Sequence, residues 1–406
     1  MKSKTILSLI TVAAASAASG AGLYIPNDTI NAVPLTWSVG IDAVWDSNTT
    51  PGIPGANHDQ SYSLNPYVGV SFVSVTPQTT LDVYARLGVI YYIDQPTAAG
   101  SQDTYQQARV GVDLTHRFNE RLRFTSRNFI AYELEPNYEQ GFASNRVNSE
   151  YLYWQTDDSI GYRWTERFAT YTGFQLTGLK YDNVSNADRF TWTLYNQFRY
   201  QLSPQSVLTA TYRYSQTNAS DLASDSTNQY LLVGLEHRFS PNTILILNAG
   251  AQLRNVNSAG SSNSSNPYLE LALQSQVNTQ FAVKAFARYG VEDYDTVVAT
   301  PLLSEYAERL TLRVGVSGDY MVSKSLSFTS GVALINTSYD KGHLLGTATS
   351  VGGASENLIN AYIGASLKFT EYLTGTLTYD YTNANSDISS RNYDRSRVSV
   401  GVRAEF

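Results

Sequence analysis

From Leu35 to Phe406 the chain repeats one pattern, in which apolar and polar residues alternate over runs of about a dozen positions. PLTWSVGIDAVW sets Leu35, Trp37, Val39, Ile41, Ala43 and Trp45 against Thr36, Ser38, Gly40 and Asp42. TTLDVYARLGVIYY and QARVGVDLTHRF repeat it, and the chain closes on RVSVGVRAEF. Side chains point to opposite faces only in an extended strand, so period two predicts strands with one apolar and one polar face. The alternation template finds about eighteen of them. Their centres fall near Val39, Val68, Ala85, Val110, Ser126, Gln155, Thr172, Leu194, Thr211, Val233, Ala249, Leu271, Ala285, Leu312, Val332, Ile363, Leu377 and Val400. No segment carries a helical period.

The connectors alternate too. Short turns are predicted at Thr76-Pro77-Gln78, Asn119-Glu120, Thr165-Glu166, Ser203-Pro204, Ser240-Pro241-Asn242, Asn278-Thr279, Val322-Ser323 and Thr370-Glu371. Longer polar loops are predicted at SNTTPGIPGANHDQ, DQPTAAGSQD, NASDLASDST, NSAGSSNSSN and DKGHLLGTATSVGGASE. Pro, Gly, Asn and Ser supply the turn chemistry in both. The repeat is one hairpin, on the order of 40 residues. A β-propeller has a similar period, but its blades hold four short strands, whereas these hairpins hold two long ones.

Which solvent the apolar face meets decides the architecture. A soluble sandwich turns it into a core; a membrane barrel turns it to lipid and keeps the polar face inside. Strands of this length match the ~9–11 residues of a tilted span. Trp37, Trp45, Trp164, Phe118, Phe239 and Phe369 sit at strand ends, where interfacial girdles lie. No run of ~18 apolar residues is present after the N-terminal segment, so no transmembrane helix is expected. Charged residues make up 16% of the chain and the formal net charge is −7, which gives no basic surface for nucleic acid. The absence of Cys removes disulfides, thiolate metal sites and Cys nucleophiles. MKSKTILSLITVAAASAASGAG has a lysine-bearing start, a short apolar core and small residues, the layout of a cleaved secretory signal. The expected organisation is therefore a signal peptide over 1–21, a short N-terminal segment over 22–33 and a barrel over 34–406.

The signal peptide, the hairpin repeat and the terminal VSVGVRAEF together resemble a Gram-negative outer-membrane β-barrel of the porin type, over essentially Pro34 to Phe406. The resemblance implies a closed antiparallel transmembrane barrel in the cell outer membrane, with short periplasmic turns, longer extracellular loops and both termini periplasmic. It implies that Val400, Val402 and Phe406 are part of the signal read by the outer-membrane assembly machinery. Its partners would be outer-membrane lipid, lipopolysaccharide and small hydrophilic solutes passing by diffusion, with no cofactor or metal.

Sixteen to eighteen strands leave an aqueous channel. The residues expected to line it are Arg86, Arg109, Arg199, Arg213, Arg238, Arg254, Arg288, Arg309, Arg313, Asp82, Asp113 and Glu270, with Tyr84, Tyr105, Tyr151, Tyr153, Tyr171, Tyr195, Tyr230, Tyr268 and Tyr362 beside them. Two readings of the arginines stay open. They pair with lumen carboxylates and stiffen the wall, or they offer planar forks to anionic or hydroxyl-rich solutes. No loop exceeds about 17 residues, so any constriction comes from modest loops and wall side chains.

The apolar parity fails in strands five to eight, where Ser126, Asn128, Asp158, Thr170, Thr172 and Asn196 stand in place of Val or Leu. Three accounts are open: a polar wall that faces another subunit, in a homo-oligomer such as a trimer; a β-bulge near Asp157–Asp158; or a miscounted register. His116 and His237 fall before short turns on the lipid-side parity, and His58 and His343 fall in flexible loops. No catalytic motif is present, so an enzyme is not expected. The competing class is a structural or adhesive barrel with a closed lumen and binding loops.

Overall fold

The computed structural model describes residues 35–51, 59–97, 101–135, 149–182, 188–220, 224–257, 262–293, 297–299, 303–347, 349–388 and 391–406. The expected signal peptide, the 22–33 segment, Pro34 and His58 lie outside the described residues. The strands are β1 (Leu35–Asp46), β2 (Ser61–Val75), β3 (Thr79–Tyr92), β4 (Thr104–Arg117), β5 (Leu122–Glu133), β6 (Tyr151–Arg163), β7 (Phe168–Tyr181), β8 (Arg189–Ser203), β9 (Ser206–Ala219) and β10 (Asp225–Ser240). They continue with β11 (Thr243–Asn257), β12 (Ser262–Gln276), β13 (Phe281–Val291), β14 (Val297–Ala299), β15 (Leu303–Met321), β16 (Leu326–Leu344), β17 (Ser350–Val351), β18 (Ala354–Lys368), β19 (Leu373–Ser386) and β20 (Tyr393–Glu405).

All belong to one 20-stranded antiparallel sheet. Among the described residues β14 pairs only with β15, and β17 only with β16, so these two are short pieces at the rim; β13 pairs directly with β15 and β16 with β18. Twenty less two leaves eighteen wall strands. β1 pairs with β20 from Ser38↔Glu405 to Asp46↔Arg397, which closes the wall. Each of the eighteen predicted centres lies within a wall strand.

Parity sorts the two faces as expected. Leu35, Trp37, Val39 and Ile41 are exposed on the outside of β1, while Val44 and Asp46 are buried inside. The outer surface carries Val68, Leu87, Val110, Ile130, Leu194, Val233, Val316, Ile363, Leu377 and Val400, all exposed. The buried polar groups include Gln197, Thr211, Arg213, Asn228, Gln252, Arg254, Glu270, Arg309, Arg313 and Arg395. A closed wall that is apolar outside and polar inside is inverted relative to a soluble protein, and hydrocarbon is the surrounding that such an exterior fits. No helix among the described residues is long and apolar enough to cross a membrane.

The short turns share one device. Asn119 Oδ1 accepts from the backbone N–H groups of Arg121 and Leu122, Asn278 Oδ1 from Gln280 and Phe281, and Thr370 Oγ1 from Tyr372 and Leu373. A short polar side chain at the first turn position thus satisfies two donors that would otherwise be orphaned. At the opposite end the strands run further than alternation predicts. β12 begins at Ser262 and β16 reaches Leu344, so parts of NSAGSSNSSN and DKGHLLGTATSVGGASE are strand. Both faces of the ladder are polar there, so the pattern fades although the backbone pairing continues. His343 is corrected by the same extension: it is not in a flexible loop but buried on β16, opposite Glu305, with Nε2 at 3.3 Å from its carboxylate.

Glycines on the inner face make room for aromatic rings from the neighbouring strand. Gly111 faces Tyr84 and Gly173 faces Tyr195 in direct register. A Cβ at Gly173 would lie 2.2 Å from Tyr195 Cζ, so a larger residue there would expel the ring. Tyr195 held in this way donates to Asp157 at 2.8 Å.

Candidate functional site

The interior is a lattice of ion pairs built from wall strands and from segments that turn inward at the long-loop end. Arg213 on β9 meets Glu270 on β12 through both arms of its fork, at 3.2 and 3.0 Å, and Tyr268 donates to the same carboxylate. Arg199 on β8 pairs with Glu236 on β10. Arg109 on β4 pairs with Glu133 on β5 at 2.7 Å. Arg86 on β3 lies 3.7 Å over the Tyr67 ring and reaches Asp42 on β1 at 3.6 Å. Nearer the short turns, Asp82, Asp113, Arg127 and Asp157 face one another in register across β3 to β6. Arg309 is 1% exposed and lies over the Tyr339 ring at 5.8 Å. Arg238 shares the inner face of Glu236 at the end of β10, beside the register shift between Arg238 and Ser240. The twelve residues predicted for the lining therefore all fall on inner-face positions, and most of their arginines are paired with carboxylates.

Three segments cross from the rim. Beyond β5, Glu135 accepts from both arms of Arg395 on β20, at 2.6 and 3.0 Å. Arg395 also donates from Nε to Asp46 on β1 at 3.0 and 3.1 Å. Beyond β9, the Ser224 N–H donates to Glu305 on β15 at 2.8 Å. Beyond β13, Glu292 binds Arg288 at 2.5 Å and Arg313 at 2.8 Å, and Asp293 binds Arg254, Thr217 and Ser226. Burial alone would raise the Glu292 carboxyl; Arg313 and Arg288 outweigh it and hold the group well below the usual carboxylate range. Burial likewise opposes ionisation of Asp293, and Arg254 with its hydrogen bonds reverses the balance.

Alternation identifies which face an arginine is on but not its partner, so Asp46, Glu135, Glu292, Asp293 and Arg395 were missed as members of the interior. The four acids carry one local mark, a place at a strand end next to a longer connector, and Arg395 shares the parity of Arg397 and Arg403. Between β6–β9 and the inward end of β13 the lattice leaves a cavity of ≈ 160 Å³. Among the described residues no group of three or more His, Asp or Glu is placed to hold a metal ion.

No family model matches the chain, and no curated protein matches it. Among solved structures, OccAB4 of Acinetobacter baumannii aligns at 12% identity and a TM-score of 0.45, over 92% of this chain and 99% of that one. OccK5 (OpdH) of Pseudomonas aeruginosa aligns at 11% and 0.46, over 92% and 98%. OpdK of the same organism, solved with vanillate, aligns at 12% and 0.45, over 92% and 99%.

On the outer face, the pairing of β6 with β5 and β7 runs without a shift from Tyr151 to Arg163, which removes the bulge and the miscounted register as accounts of the polar set. Asn128 donates to Ser126 at 2.9 Å, and Ser126 stands opposite Asp158. Asn196 donates to Thr172 at 2.7 Å, directly across from it. The two groups are separated by Phe174 and Leu194, which share the register row of Asp158. Thr170 stands apart, accepting from the Trp164 indole N–H at 2.9 Å near the short-turn end. The outward polar residues thus form a Ser126–Asn128–Asp158 group, a Thr172–Asn196 pair in the adjacent register row, and Thr170 nearer the short turns. His116 and His237 occupy twin sites, with Nδ1 2.8 Å from Thr79 Oγ1 and 2.9 Å from Ser206 Oγ.

At the seam, the Trp37 N–H donates to the Phe406 carbonyl at 3.0 Å and the Phe406 N–H returns a bond to Trp37 at 2.8 Å. The Phe406 ring stacks on Tyr372 and is 69% exposed. Val400 and Val402 are exposed on the same outer face.

Proposed function

We propose that the protein is an outer-membrane porin through which small hydrophilic solutes diffuse passively. One observation carries the reading: eighteen strands close into a wall that is apolar outside, while the inside holds a hydrated class of side chain, Arg, Asp, Glu, Gln, Ser and Thr, around a cavity. The residues named above as the expected lining are the wall of that pathway, and Glu135, Ser224, Glu292 and Asp293, which bond across the interior from the rim, narrow it. Purified protein added to a planar bilayer should give stable, stepwise open currents. Inserted protein that stays electrically silent would reject the porin in favour of a closed structural barrel.

The polar clusters on β5–β8 support a contact with a second copy. Asp158 makes no hydrogen bond or ion pair among the described residues, and it lies four residues from Trp154 and six from Trp164, near the middle of the apolar band. A carboxylate facing lipid at that depth is unfavourable. Asn196 Oδ1 is also enclosed without a hydrogen-bond partner among the described residues. A facing subunit would supply a donor to Asp158. Cysteines replacing Thr156 on β6 and Thr172 on β7 should cross-link neighbouring copies in the membrane; a strictly monomeric extract that never cross-links would remove the interface.

Phe406, with Val400 and Val402, supports a role as the assembly signal, since its ring projects from the closing seam at the short-turn end. Deleting Phe406 should lower the amount of protein recovered in the outer-membrane fraction more than it alters the conductance of the molecules that do assemble. Equal recovery of the deleted and full chains would contradict this.

A further inference from the structure

We propose that two neighbouring short turns, 117–121 and 163–167, hold the headgroups of anionic phospholipids in the leaflet they face. The β4–β5 turn reads Arg117-Phe118-Asn119-Glu120-Arg121, and the β6–β7 turn reads Arg163-Trp164-Thr165-Glu166-Arg167. Each is an arginine, an aromatic residue, a polar cap, a glutamate and a second arginine. The caps act alike. Thr165 Oγ1 accepts from the N–H groups of Arg167 and Phe168 at 3.3 and 3.1 Å, as Asn119 Oδ1 does from those of Arg121 and Leu122 at 2.8 Å. The turns are also joined, because β5 and β6 are adjacent. The Arg163 N–H donates to the Arg121 carbonyl at 2.8 Å, and the Arg163 side chain lies 3.8 Å from Glu120. All ten residues are exposed.

Four arginines stand against two glutamates in these turns, a formal excess of two positive charges. Other short turns do not share it. Residues 76–78, 203–205 and 278–280 carry no charge, and Lys368 is balanced by Glu371. Phe118 and Trp164 lie in the same arc of the rim, 58% and 56% exposed, on the outward parity of β4 and β6. An aromatic ring at a strand end sits at the level of the lipid headgroups. Guanidinium groups on either side of it meet phosphate oxygens there, to which their planar forks bond in pairs. A basic cluster at that level attracts anionic lipid over neutral lipid. An acidic soluble partner would need no ring turned toward hydrocarbon, so the pairing of arginine with an outward aromatic residue favours the lipid.

Trp164 is a built-in reporter. The assembled protein is reconstituted in phosphatidylcholine vesicles with rising shares of brominated phosphatidylglycerol or of brominated phosphatidylcholine, whose bromines quench a tryptophan they touch. The part of the signal that belongs to Trp164 is the difference from the Trp164→Phe protein. Phosphatidylglycerol should bind there about fivefold more tightly than phosphatidylcholine. Salt at about 1 M should bring that ratio close to one, because the screening length falls to about 3 Å. Arg121→Gln with Arg167→Gln balances the charge and should have the same effect at low salt, while Lys368→Gln should leave the ratio unchanged. Equal binding of the two lipids to the unaltered protein would overturn the proposal, as would a preference that survives in the double variant. A preference lost equally in Lys368→Gln would assign the lipid to the whole rim and overturn it too. Where the double variant fails to assemble, the salt comparison on the unaltered protein decides. The proposal needs no open lumen, so a silent bilayer recording would remove the porin reading and leave this result standing.

Discussion

Replacing Arg395 by alanine should lower the unfolding free energy by about 3–5 kcal/mol, the usual cost of removing one partner from a buried ion pair. Its side chain is 3% exposed between Asp46 and Glu135 and bonds to both carboxylates. Those two acids come from β1 and from the segment beyond β5, so one guanidinium joins the first strand, the last strand and an inward-turning connector. Alanine would leave Asp46, 5% exposed, facing Glu135 across a gap. Arg397 is near both acids, at 3.7 and 3.3 Å, but its own side chain is 26% exposed and would compensate only in part. Lysine at 395 keeps the charge but lacks the planar fork, so it should recover part of the loss. The control is Arg163, whose contact with Glu120 is 3.8 Å long and solvent-exposed; Arg163→Ala should leave stability unchanged. Denaturant titration of the detergent-solubilised proteins reads all three. An Arg395→Ala protein as stable as its parent would show that the three-way junction does not hold the seam.

What could be read from sequence follows from the range of the forces involved. Strand positions were legible because the membrane and the interior impose opposite demands on alternate residues, and every predicted centre, from Val39 to Val400, falls in a wall strand. The short turns were legible for the same local reason: Asn119, Asn278 and Thr370 each cap donors two and three residues away. The polar residues Ser126, Asn128, Asp158, Thr172 and Asn196 were placed on the outer face correctly because no register shift intervenes. Partnerships were not legible. Arg213 finds Glu270 57 residues on, and Arg395 finds Glu135 at a separation of 260. Such contacts depend on the closure of the wall and on how connectors turn, and period two carries no information about either. The upper strand ends were lost because above the apolar band both faces meet polar surroundings, as in β12 from Ser262 to Asn266.

Neutralising both acids of the β13 connector, as Glu292→Gln with Asp293→Asn, should raise single-channel conductance and shift permeation toward anions. The two carboxylates tether the connector to Arg288 and Arg313 on one side and to Arg254 on the other. With amides in their place the ion pairs become hydrogen bonds charged on the donor side alone, and three guanidinium groups lose their counter-charges. The direction of the pH dependence follows from the same geometry. Both carboxyls lie below their ordinary values, because the arginines outweigh the penalty of burial. A depressed folded value contributes stability that is fully present above the unfolded value, near 4 for these groups, and is lost only as pH falls through the lower folded value. The unaltered barrel should therefore hold a constant conductance from neutral pH down to about pH 4 and open further only in stronger acid. The amide variant should show the wider state already at neutral pH, with little further change on acidification. Bilayer recordings of both proteins across that range test the argument. If the unaltered conductance drifts steadily between pH 7 and pH 5, some other group governs the constriction; if the variant matches its parent at every pH, the connector does not lie in the conducting path.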